Sequence, residues 1–299
     1  MPDIEPLRTV LFVPGNRPDR VDKAVRAGAD AVIIDLEDAV PVDLKAETRP
    51  KVRQKVIEHG DQRIFVRVNA LDTEFFQEDI DSVVVKGLDG VIAPKVESAA
   101  QIRTVYEALV VAEEKQGITP GQILIMPLIE SAAGVERISE IVAEKTVRDR
   151  LFTVFFGALD YTLDMGIEMT REGVELHYPR SRIAIACRAA GIEPPIDSPF
   201  MIDLRDIEAL KADAARARAL GFQGKQCIHP NQIEPCHAIF SPSQEEIQQA
   251  ERIVAAFEEA EAKGTAALQL DGKFIDYPAV ERARRIIALA ARLPQTGRH

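Results

Sequence analysis

The chain has 299 residues, enough for one large α/β barrel or two ordinary domains. Its formal net charge of −11 disfavours nucleic-acid binding, because a phosphate backbone requires a basic protein surface. Three cysteines are too few for a disulfide framework, and neither a membrane-spanning run nor a signal-peptide core is visible, so we expect a cytoplasmic protein.

Eight short apolar segments alternate with amphipathic helical stretches over most of the chain. This alternation is typical of a parallel α/β architecture. The predicted strands are residues 9–13, 31–35, 64–69, 90–95, 123–130, 152–157, 195–198 and 224–229. Eight strands of this kind predict a closed (β/α)8 TIM barrel. The competing architecture, a doubly wound open sheet, lacks support because no G-x-G-x-x-G segment follows the first strand.

The same patterns divide the chain into a barrel at residues 1–232 and a C-terminal helical extension at residues 233–299. Asn16 is expected to cap the first barrel helix, since asparagine is a favoured N-cap residue. The extension is expected to contain a long helix over residues 243–262 and another over residues 278–293, joined by a glycine-containing segment.

The predicted strands are apolar until their C-terminal ends, where charged and polar side chains appear. The carboxyl ends of parallel barrel strands converge on one rim, and enzymes with this fold have their active sites there. Isolated buried charges are costly, so we expect these side chains to pair with each other, a metal or a ligand. They are Asp35, Glu37, Asp38, Arg67, Asn69, Lys95, Glu97, Glu130, Asp160 and His229.

Glu130 and Asp160 are expected to come from adjacent strands of the barrel. Two carboxylates together with water molecules form the oxygen-only site that suits Mg²⁺. In the alternative interpretation, Glu130 pairs with Lys95 or Arg67, and Asp160 caps the helix that follows it. The pattern alone leaves both interpretations open.

Arg67 has two possible roles that the pattern does not separate. Its planar guanidinium can bind a substrate carboxylate through two hydrogen bonds, or it can balance the acidic side chains of the rim. For the other charged residues nearby we favour a supporting ion-pair network around the site. These residues are Asp35, Glu37, Asp38 and Lys95.

The first predicted helix carries cations at intervals of three, at Arg17, Arg20, Lys23 and Arg26. This spacing places several of them on or near one helix face, where a phosphate-rich ligand can bind with help from the helix N-terminus. The alternative is a solvated charged face, which the spacing alone favours.

Two patterns in the last third of the chain favour ordinary structural roles. Cys227, His229, Cys236 and His237 invite a zinc interpretation, but their spacing matches no standard structural zinc site and prolines intervene, so zinc is disfavoured. Asp276 directly precedes a predicted helix, and its position alone indicates an N-cap residue.

Eight segments, in order along nearly the whole chain, resemble the citrate lyase β-subunit family of the HpcH/HpaI aldolase superfamily. That family includes citramalyl-CoA and malyl-CoA lyases and related malyl-CoA hydrolases. The matching segments are residues 11–20 (LFVPGNRPDR), 35–40 (DLEDAV), 65–69 (FVRVN), 93–95 (APK), 129–134 (IESAAG), 157–161 (GALDY), 221–232 (GFQGKQCIHPNQ) and 272–278 (GKFIDYP).

The resemblance implies a Mg²⁺-dependent barrel that cleaves a 3-hydroxyacyl thioester to an acetyl thioester and a 2-oxoacid by retro-Claisen chemistry. It implies that Glu130 and Asp160 bind the metal, that Glu130 also lies at the substrate, and that Arg67 binds the oxoacid portion. It further implies that Asp276 is a catalytic aspartate on a C-terminal lid, commonly supplied by a neighbouring subunit of a homotrimer or hexamer.

The pocket for the thioester or CoA is expected to involve six residues. They are Phe12, Lys23, Ile228 and His229 from the resemblance, and Arg17 and Arg20 on charge grounds. Two other functions stay open at this point: a malyl-CoA thioester hydrolase on the same scaffold, and a citrate lyase β subunit that is active only in a carrier-protein complex. Asp19 stands where some stand-alone lyases have lysine, which puts CoA phosphate contacts there in doubt.

Overall fold

The structure is a computed structural model that describes residues 5–293 of the chain. Internal contacts divide these residues into two compact units. The first unit is Leu7–His237, and the second begins at Ala238 and also includes residues 5 and 6. Among the described residues, no helix is long and apolar enough to cross a membrane.

The first unit is a closed barrel of eight parallel strands in sequential order, with β1 paired to both β2 and β8. This confirms the predicted (β/α)8 TIM barrel. Most strand residues are buried, as expected where helices cover the outer face and side chains fill the interior. The strands are β1 Thr9–Pro14, β2 Ala31–Asp35, β3 Ile64–Arg67, β4 Gly90–Ala93, β5 Leu124–Ile129, β6 Phe155–Phe156, β7 Ile196–Asp197 and β8 Gly224–Cys227.

Helices alternate with these strands along the chain, as the sequence predicts. They are α1 Pro18–Ala24, α2 Lys45–Glu58, α3 Phe76–Val83, α4 Ala99–Gln116, α5 Ala132–Val142, α6 Ala158–Met165, α7 His177–Ala190 and α8 Ile207–Ala219. A ninth helix, α9 Ile233–Phe240, contains the chain position at which the first unit ends.

The capping prediction for the first helix is wrong. Arg17 rather than Asn16 occupies the N-cap position of α1, and no side chain caps that helix. Pro18 takes the first helical position, where its missing N–H is not needed and its fixed φ already suits a helix. The proline therefore sets the start of the helix one residue later than the capping pattern indicates.

Several strands end earlier than predicted, so some polar residues of the rim follow the strands and do not lie within them. β3 ends at Arg67 rather than at residue 69, and β4 ends at Ala93 rather than at residue 95. Lys95 lies just beyond β4 with φ of 53°, in the left-handed region that non-glycine residues seldom occupy. Part of the polar rim therefore comes from residues outside the sheet, which no longer follow the alternation of a strand.

Beyond the end of α9, the described part of the second unit contains two helices and a β-hairpin. Helix α10 Gln244–Ala262 begins with a capping box between Ser243 and Glu246. β9 Leu268–Leu270 and β10 Lys273–Ile275 pair antiparallel across an Asp-Gly turn, and α11 Tyr277–Arg292 follows. The residues Phe257, Ile275 and Val280 form its buried core. The sequence pattern predicts both helices but not the hairpin.

Candidate active site

A cavity of about 440 Å³ opens where the barrel strands end. We call it the rim cavity. Its walls come from β1, β2, β3, β5, β8 and the segments that follow β2, β5, β6, β7 and β8, so most strands of the barrel contribute to it. The lining residues are Phe12, Val13, Pro14, Arg20, Asp35, Asp38, Ala39, Arg67, Leu128, Glu130, Gly157, Leu159, Asp160, Ser198, Pro199, Met201, Gln226 and Ile228.

Glu130 directly follows β5 and is only 4% exposed. Its Oε1 accepts a hydrogen bond of 2.8 Å from the backbone N–H of Lys95. Burial, followed by the negative charges of Glu37 and Asp160, raises the pKa of Glu130 to about 8. Burial beside two acidic residues destabilises the charged form of this carboxylate, and a nearby cation would stabilise that form.

Lys95 contacts Glu130 through its main chain and not through its ammonium group. Its left-handed backbone places the N–H toward Glu130, while its Nζ lies 3.3 Å from Oε1 of Glu37. Residues held in such sparsely populated conformations often occur at functional sites. The lysine therefore belongs to the supporting ion-pair network that the sequence analysis favours.

Asp160 lines the same cavity as Glu130 and is half-buried in the first turn of α6. The N-cap of that helix is Gly157, and no side chain caps it. Helix capping by Asp160, one of the two roles left open by the sequence, is therefore not what the structure has. Glu130 and Asp160 could hold a hard cation in this cavity through oxygen ligands, whereas Asp35 and Asp38, the other carboxylates that line it, already pair with Arg67.

Arg67, the last residue of β3, is held by acidic residues at the end of β2 and just after it. Its Nε and Nη2 lie 2.8 and 2.6 Å from the two carboxylate oxygens of Asp35. Its Nη1 lies 3.0 Å from Glu37 and 3.3 Å from Asp38. Above it, the ring of Phe12 lies 5.2 Å from the guanidinium carbon, within cation–π range.

Glu37 links the two cations of the site. It is buried, and its two carboxylate oxygens face Nη1 of Arg67 and Nζ of Lys95. Burial outweighs these two favourable charges and raises the pKa of Glu37 to about 7. The acidic network predicted around the site is thus present, and Arg67 balances it.

The predicted thioester pocket is assembled in part. Phe12, Arg20 and Ile228 line the rim cavity, although they come from β1, α1 and the segment after β8. Arg17 and Lys23 are exposed and are not among the lining residues. Arg17 instead forms hydrogen bonds of 3.2 Å to the carboxylate of Asp19, which holds the pKa of that carboxyl below its usual value.

The side chain of His229 contacts the backbone of the residues that follow it. Its Nδ1 accepts a hydrogen bond of 3.2 Å from the backbone N–H of Asn231, and the side chain does not line the rim cavity. The other members of the disfavoured zinc group lie elsewhere. Cys227 and Cys236 are buried, and Nε2 of His237 lies 2.7 Å from the hydroxyl of Thr9.

Within residues 5–293, one cluster has the side-chain geometry of a possible metal site, formed by Asp22, Glu58 and His59. The ammonium group of Lys55 already lies within 2.9 Å of both carboxylates of this cluster. An internal cation therefore balances those charges, and none of the three cluster residues lines the rim cavity.

Several residues that line the cavity were not predicted from the sequence. Ser198 accepts a hydrogen bond of 3.0 Å from the backbone N–H of Ala158, and Gln226 donates one of 2.8 Å to the carbonyl of Phe156. Both fix the start of α6, which carries Asp160. Ser198 follows a strand of only two residues, and Gln226 lies inside β8, so neither stands out as a charged residue at a strand end.

Asp276 caps α11 in the second unit, as its position in the sequence predicts. Its Oδ1 accepts a hydrogen bond of 3.1 Å from the backbone N–H of Ala279, two residues after the first helical position. The exposed rings of Phe274 and Tyr277 flank it along the chain. Its catalytic role stays a prediction.

Comparison with known proteins identifies the family. The model of the HpcH/HpaI aldolase/citrate lyase family matches residues 8–230. The chain belongs to this family. The resemblance stated from the sequence motifs is thereby confirmed.

The family's characterised members resemble this chain over nearly its full length. It is 38% identical to a citrate lyase subunit beta of Leuconostoc mesenteroides subsp. cremoris, over 95% of this chain and 93% of the relative. It is 34% identical to an L-malyl-CoA/beta-methylmalyl-CoA lyase of Cereibacter sphaeroides, over 97% and 96%. Among solved structures, the family member CitE of Mycobacterium tuberculosis, in complex with magnesium, acetoacetate and coenzyme A, has a TM-score of 0.78 and 29% identity, covering 96% of this chain and 98% of that one.

Proposed function

We propose that this protein is a Mg²⁺-dependent carbon–carbon lyase that cleaves a 3-hydroxyacyl thioester to an acetyl thioester and a 2-oxoacid. One observation carries the proposal: the carboxylates of Glu130 and Asp160, from neighbouring strand ends, line one cavity at the catalytic rim. The relatives include a citrate lyase subunit beta and an L-malyl-CoA/beta-methylmalyl-CoA lyase, and a structural neighbour is a complex with magnesium. Citramalyl-, malyl- and citryl-thioesters are the candidate substrates.

The donor set fits magnesium. Glu130 and Asp160 offer only oxygen atoms, and a cation beside them would offset the acidic charge that raises the pKa of Glu130 to about 8. In this proposal Glu130 and Asp160 hold the ion. When bound, Mg²⁺ supplies a Lewis acid that stabilises negative charge developing on the substrate oxygens.

Arg67 is proposed to bind the carboxylate of the oxoacid portion. Its bidentate contact with Asp35 uses one N–H of Nε and one of Nη2, so the second N–H of Nη2 is available for a ligand. The side chain is 11% exposed and lines the rim cavity. Because Asp35 fixes the plane of the guanidinium in advance, the substrate does not have to order it.

The thioester end is proposed to leave the cavity past Phe12, Arg20 and Ile228, which line it. Phe12 and Ile228 offer apolar contact to the pantetheine chain, and Arg20 is the exposed cation among the lining residues. Lys23, Arg17 and His229 stay in the proposal as residues that contact CoA farther out. Lys23 is exposed one turn after Arg20 on α1, so the two cations can contact successive phosphate groups of a ligand that lies along this helix.

Asp276 is proposed to transfer a proton to or from the acetyl carbon as the catalytic aspartate of a lid. We further propose that a neighbouring subunit of a homotrimer or hexamer supplies this lid. The rings beside Asp276 support the idea, because Phe274 is 71% exposed and Tyr277 is 55% exposed within one copy of the chain. Large exposed rings next to a functional residue are typical of surfaces that become covered in an assembly.

The test uses the purified full chain with citramalyl-CoA, malyl-CoA and citryl-CoA, each with Mg²⁺ or with EDTA. The proposal expects acetyl-CoA and a 2-oxoacid as products, and only in the Mg²⁺ arm. Free CoA and the intact hydroxyacid would identify a thioester hydrolase instead. Equal rates with EDTA would refute the metal requirement.

A second candidate is a citrate lyase β subunit that acts on a carrier-protein thioester. The identity of 38% to a citrate lyase subunit beta favours it. Turnover of a phosphopantetheinylated carrier loaded with citryl groups, without turnover of any CoA thioester, would establish this second function.

A cytoplasmic location is proposed as well, since the three cysteines are buried and unpaired, as expected in a reducing compartment.

A further inference from the structure

Gly157 lies against the side chain of Glu130. A Cβ atom added at Gly157 would be 2.7 Å from Cβ of Glu130 and 2.7 Å from its Oε2. Both distances are far below the separation of about 3.5–4.0 Å at which carbon atoms make favourable contact. Leu128 is the next neighbour, with Cδ1 at 3.4 Å.

The contact with Cβ of Glu130 cannot relax at low cost. The Cβ of Glu130 is fixed by the backbone at the end of β5, and Oε1 is held by the N–H of Lys95. The residue is only 4% exposed, and although its carboxylate borders the rim cavity, its Cβ cannot move without moving the backbone. Any side chain at position 157 therefore has to displace Glu130 from where it now lies.

The backbone of Gly157 does not itself require glycine. Its φ is −108° and its ψ is 87°, on the side of the φ/ψ map that L-residues occupy. A glycine there also loses more conformational freedom on folding than any other residue. What the position requires is the absence of a side chain, and the group that occupies the resulting space is the carboxylate of Glu130.

We propose that Gly157 is a positioning residue whose missing side chain sets the place of the Glu130 carboxylate beside Asp160. Lys95 fixes one oxygen of Glu130 through its backbone N–H, and Gly157 leaves the space for the other. This inference rests on the proposed metal site. It predicts that a single added methyl group at Gly157 weakens Mg²⁺ binding without contacting the ion.

The experiment compares Mg²⁺ binding to the metal-free full chain by isothermal titration calorimetry, with Mn²⁺ and electron paramagnetic resonance as a second probe. Gly157→Ala is expected to raise the Kd for the ion by about tenfold or more. The rise in melting temperature that Mg²⁺ gives the wild type is expected to shrink accordingly.

Gly90→Ala is the matched control. A Cβ there would meet the neighbouring strand as closely, at 2.8 Å from the carbonyl oxygen and 2.9 Å from Cβ of Leu124, but Gly90 begins β4 at the opposite end of the barrel. This variant is expected to lower the melting temperature while leaving the Kd for Mg²⁺ within about twofold of wild type.

Failure of the inference and failure of the proposed function give different results. If wild type binds neither ion, the metal site itself is refuted. If wild type binds and Gly157→Ala binds equally well, or if Gly90→Ala weakens binding to the same extent, Gly157 has no positioning role.

A second pair of variants decides the question if Gly157→Ala does not fold. Glu130→Gly removes both atoms that the added Cβ would meet. In that background, adding Gly157→Ala is expected to change the melting temperature little when both are measured in EDTA. A double variant that also fails to fold would overturn the inference, because the methyl group would then be clashing with something other than Glu130.

Discussion

Arg67 and Asp35 form a two-point ion pair, with Nε 2.8 Å from Oδ1 and Nη2 2.6 Å from Oδ2. The two residues face each other in the register between β3 and β2. Asp35 also accepts hydrogen bonds from the backbone N–H groups of Glu37 and Ala39. One carboxylate therefore fixes both the arginine and the loop that carries the rest of the acidic network.

Asp35→Asn is expected to impair substrate binding and catalysis together. An amide cannot balance the guanidinium charge or accept from all of these donors, so Arg67 should lose its fixed plane. We expect a loss of about 100-fold in kcat/KM and a loss of about 3 kcal/mol in the free energy of unfolding. Steady-state kinetics and urea titration measure the two effects.

Asp38→Asn is the control for this change. Its side chain is 57% exposed and lies 3.3 Å from the same guanidinium, so its removal should alter both quantities little. If the two variants prove equally harmful, the rim responds to total charge and the geometry of Asp35 has no special role.

The sequence predicts where strands end but not where the side chains after them point. Arg67 and Asn69 are two residues apart, and in a continuing strand both would point to the same face. Because β3 ends at Arg67, the two diverge: Nδ2 of Asn69 donates to Asp79 at 2.6 Å, away from the rim cavity. A polar residue at a strand end therefore indicates the region of the site. The local backbone conformation determines which of these residues line the cavity.

Other features have no local signal at all. Lys225 lies in β8 beside Gln226, yet it is fully buried with Asp197 and Asp213, whereas Gln226 lines the rim cavity. The proposed role of Gly157 depends on its contact with Glu130, which lies 27 positions earlier in the chain. Only the folded barrel brings the two residues together. Apolar alternation predicts the barrel, but contacts between distant segments define the site.

The stability of the metal-free protein should fall as the pH rises from about 4.5 to about 8. Glu130 has its pKa raised from 4.5 to about 8 in the fold, so the native state retains a proton that the unfolded chain has released. The stability due to this protonated form is complete below pH 4.5 and is lost as the pH passes through 8. Urea titrations in EDTA at several pH values would measure the decline.

Glu130→Gln should remove much of this pH dependence, because the amide has the same shape and does not titrate. Glu37, with a pKa of about 7, is present in both proteins and contributes to both curves. The difference between the curves should therefore grow toward pH 8, and saturating Mg²⁺ should stabilise only the wild type at that pH. Parallel curves in EDTA would mean that Glu130 does not titrate in this range.

Lys95 offers a test of the backbone contact to Glu130. Lys95→Gly and Lys95→Ala both keep the N–H that Glu130 accepts, and both remove the ammonium group that faces Glu37. The φ of 53° favours glycine, so Lys95→Gly should be more stable than Lys95→Ala by about 1 kcal/mol. Both should retain Mg²⁺ affinity close to wild type, and a large loss in the glycine variant would show that the side chain is what matters.

Asp276 combines a structural contact with a proposed chemical role, and two substitutions separate them. Asparagine is as good an N-cap as aspartate, so Asp276→Asn should keep the hydrogen bond to the N–H of Ala279 and unfold at nearly the wild-type temperature. Asp276→Ala loses the cap as well and should cost about 1 kcal/mol.

Activity should not follow that order, because an amide can cap a helix but cannot exchange a proton with the acetyl carbon. Both variants should lose about 100-fold or more in kcat, since a positioned acid or base contributes at least that much. If Asp276→Asn turns over at the wild-type rate while Asp276→Ala does not, the aspartate acts only through α11. Hydrogen–deuterium exchange into the methyl group of acetyl-CoA isolates the proton transfer from carbon–carbon cleavage, and both variants should abolish it.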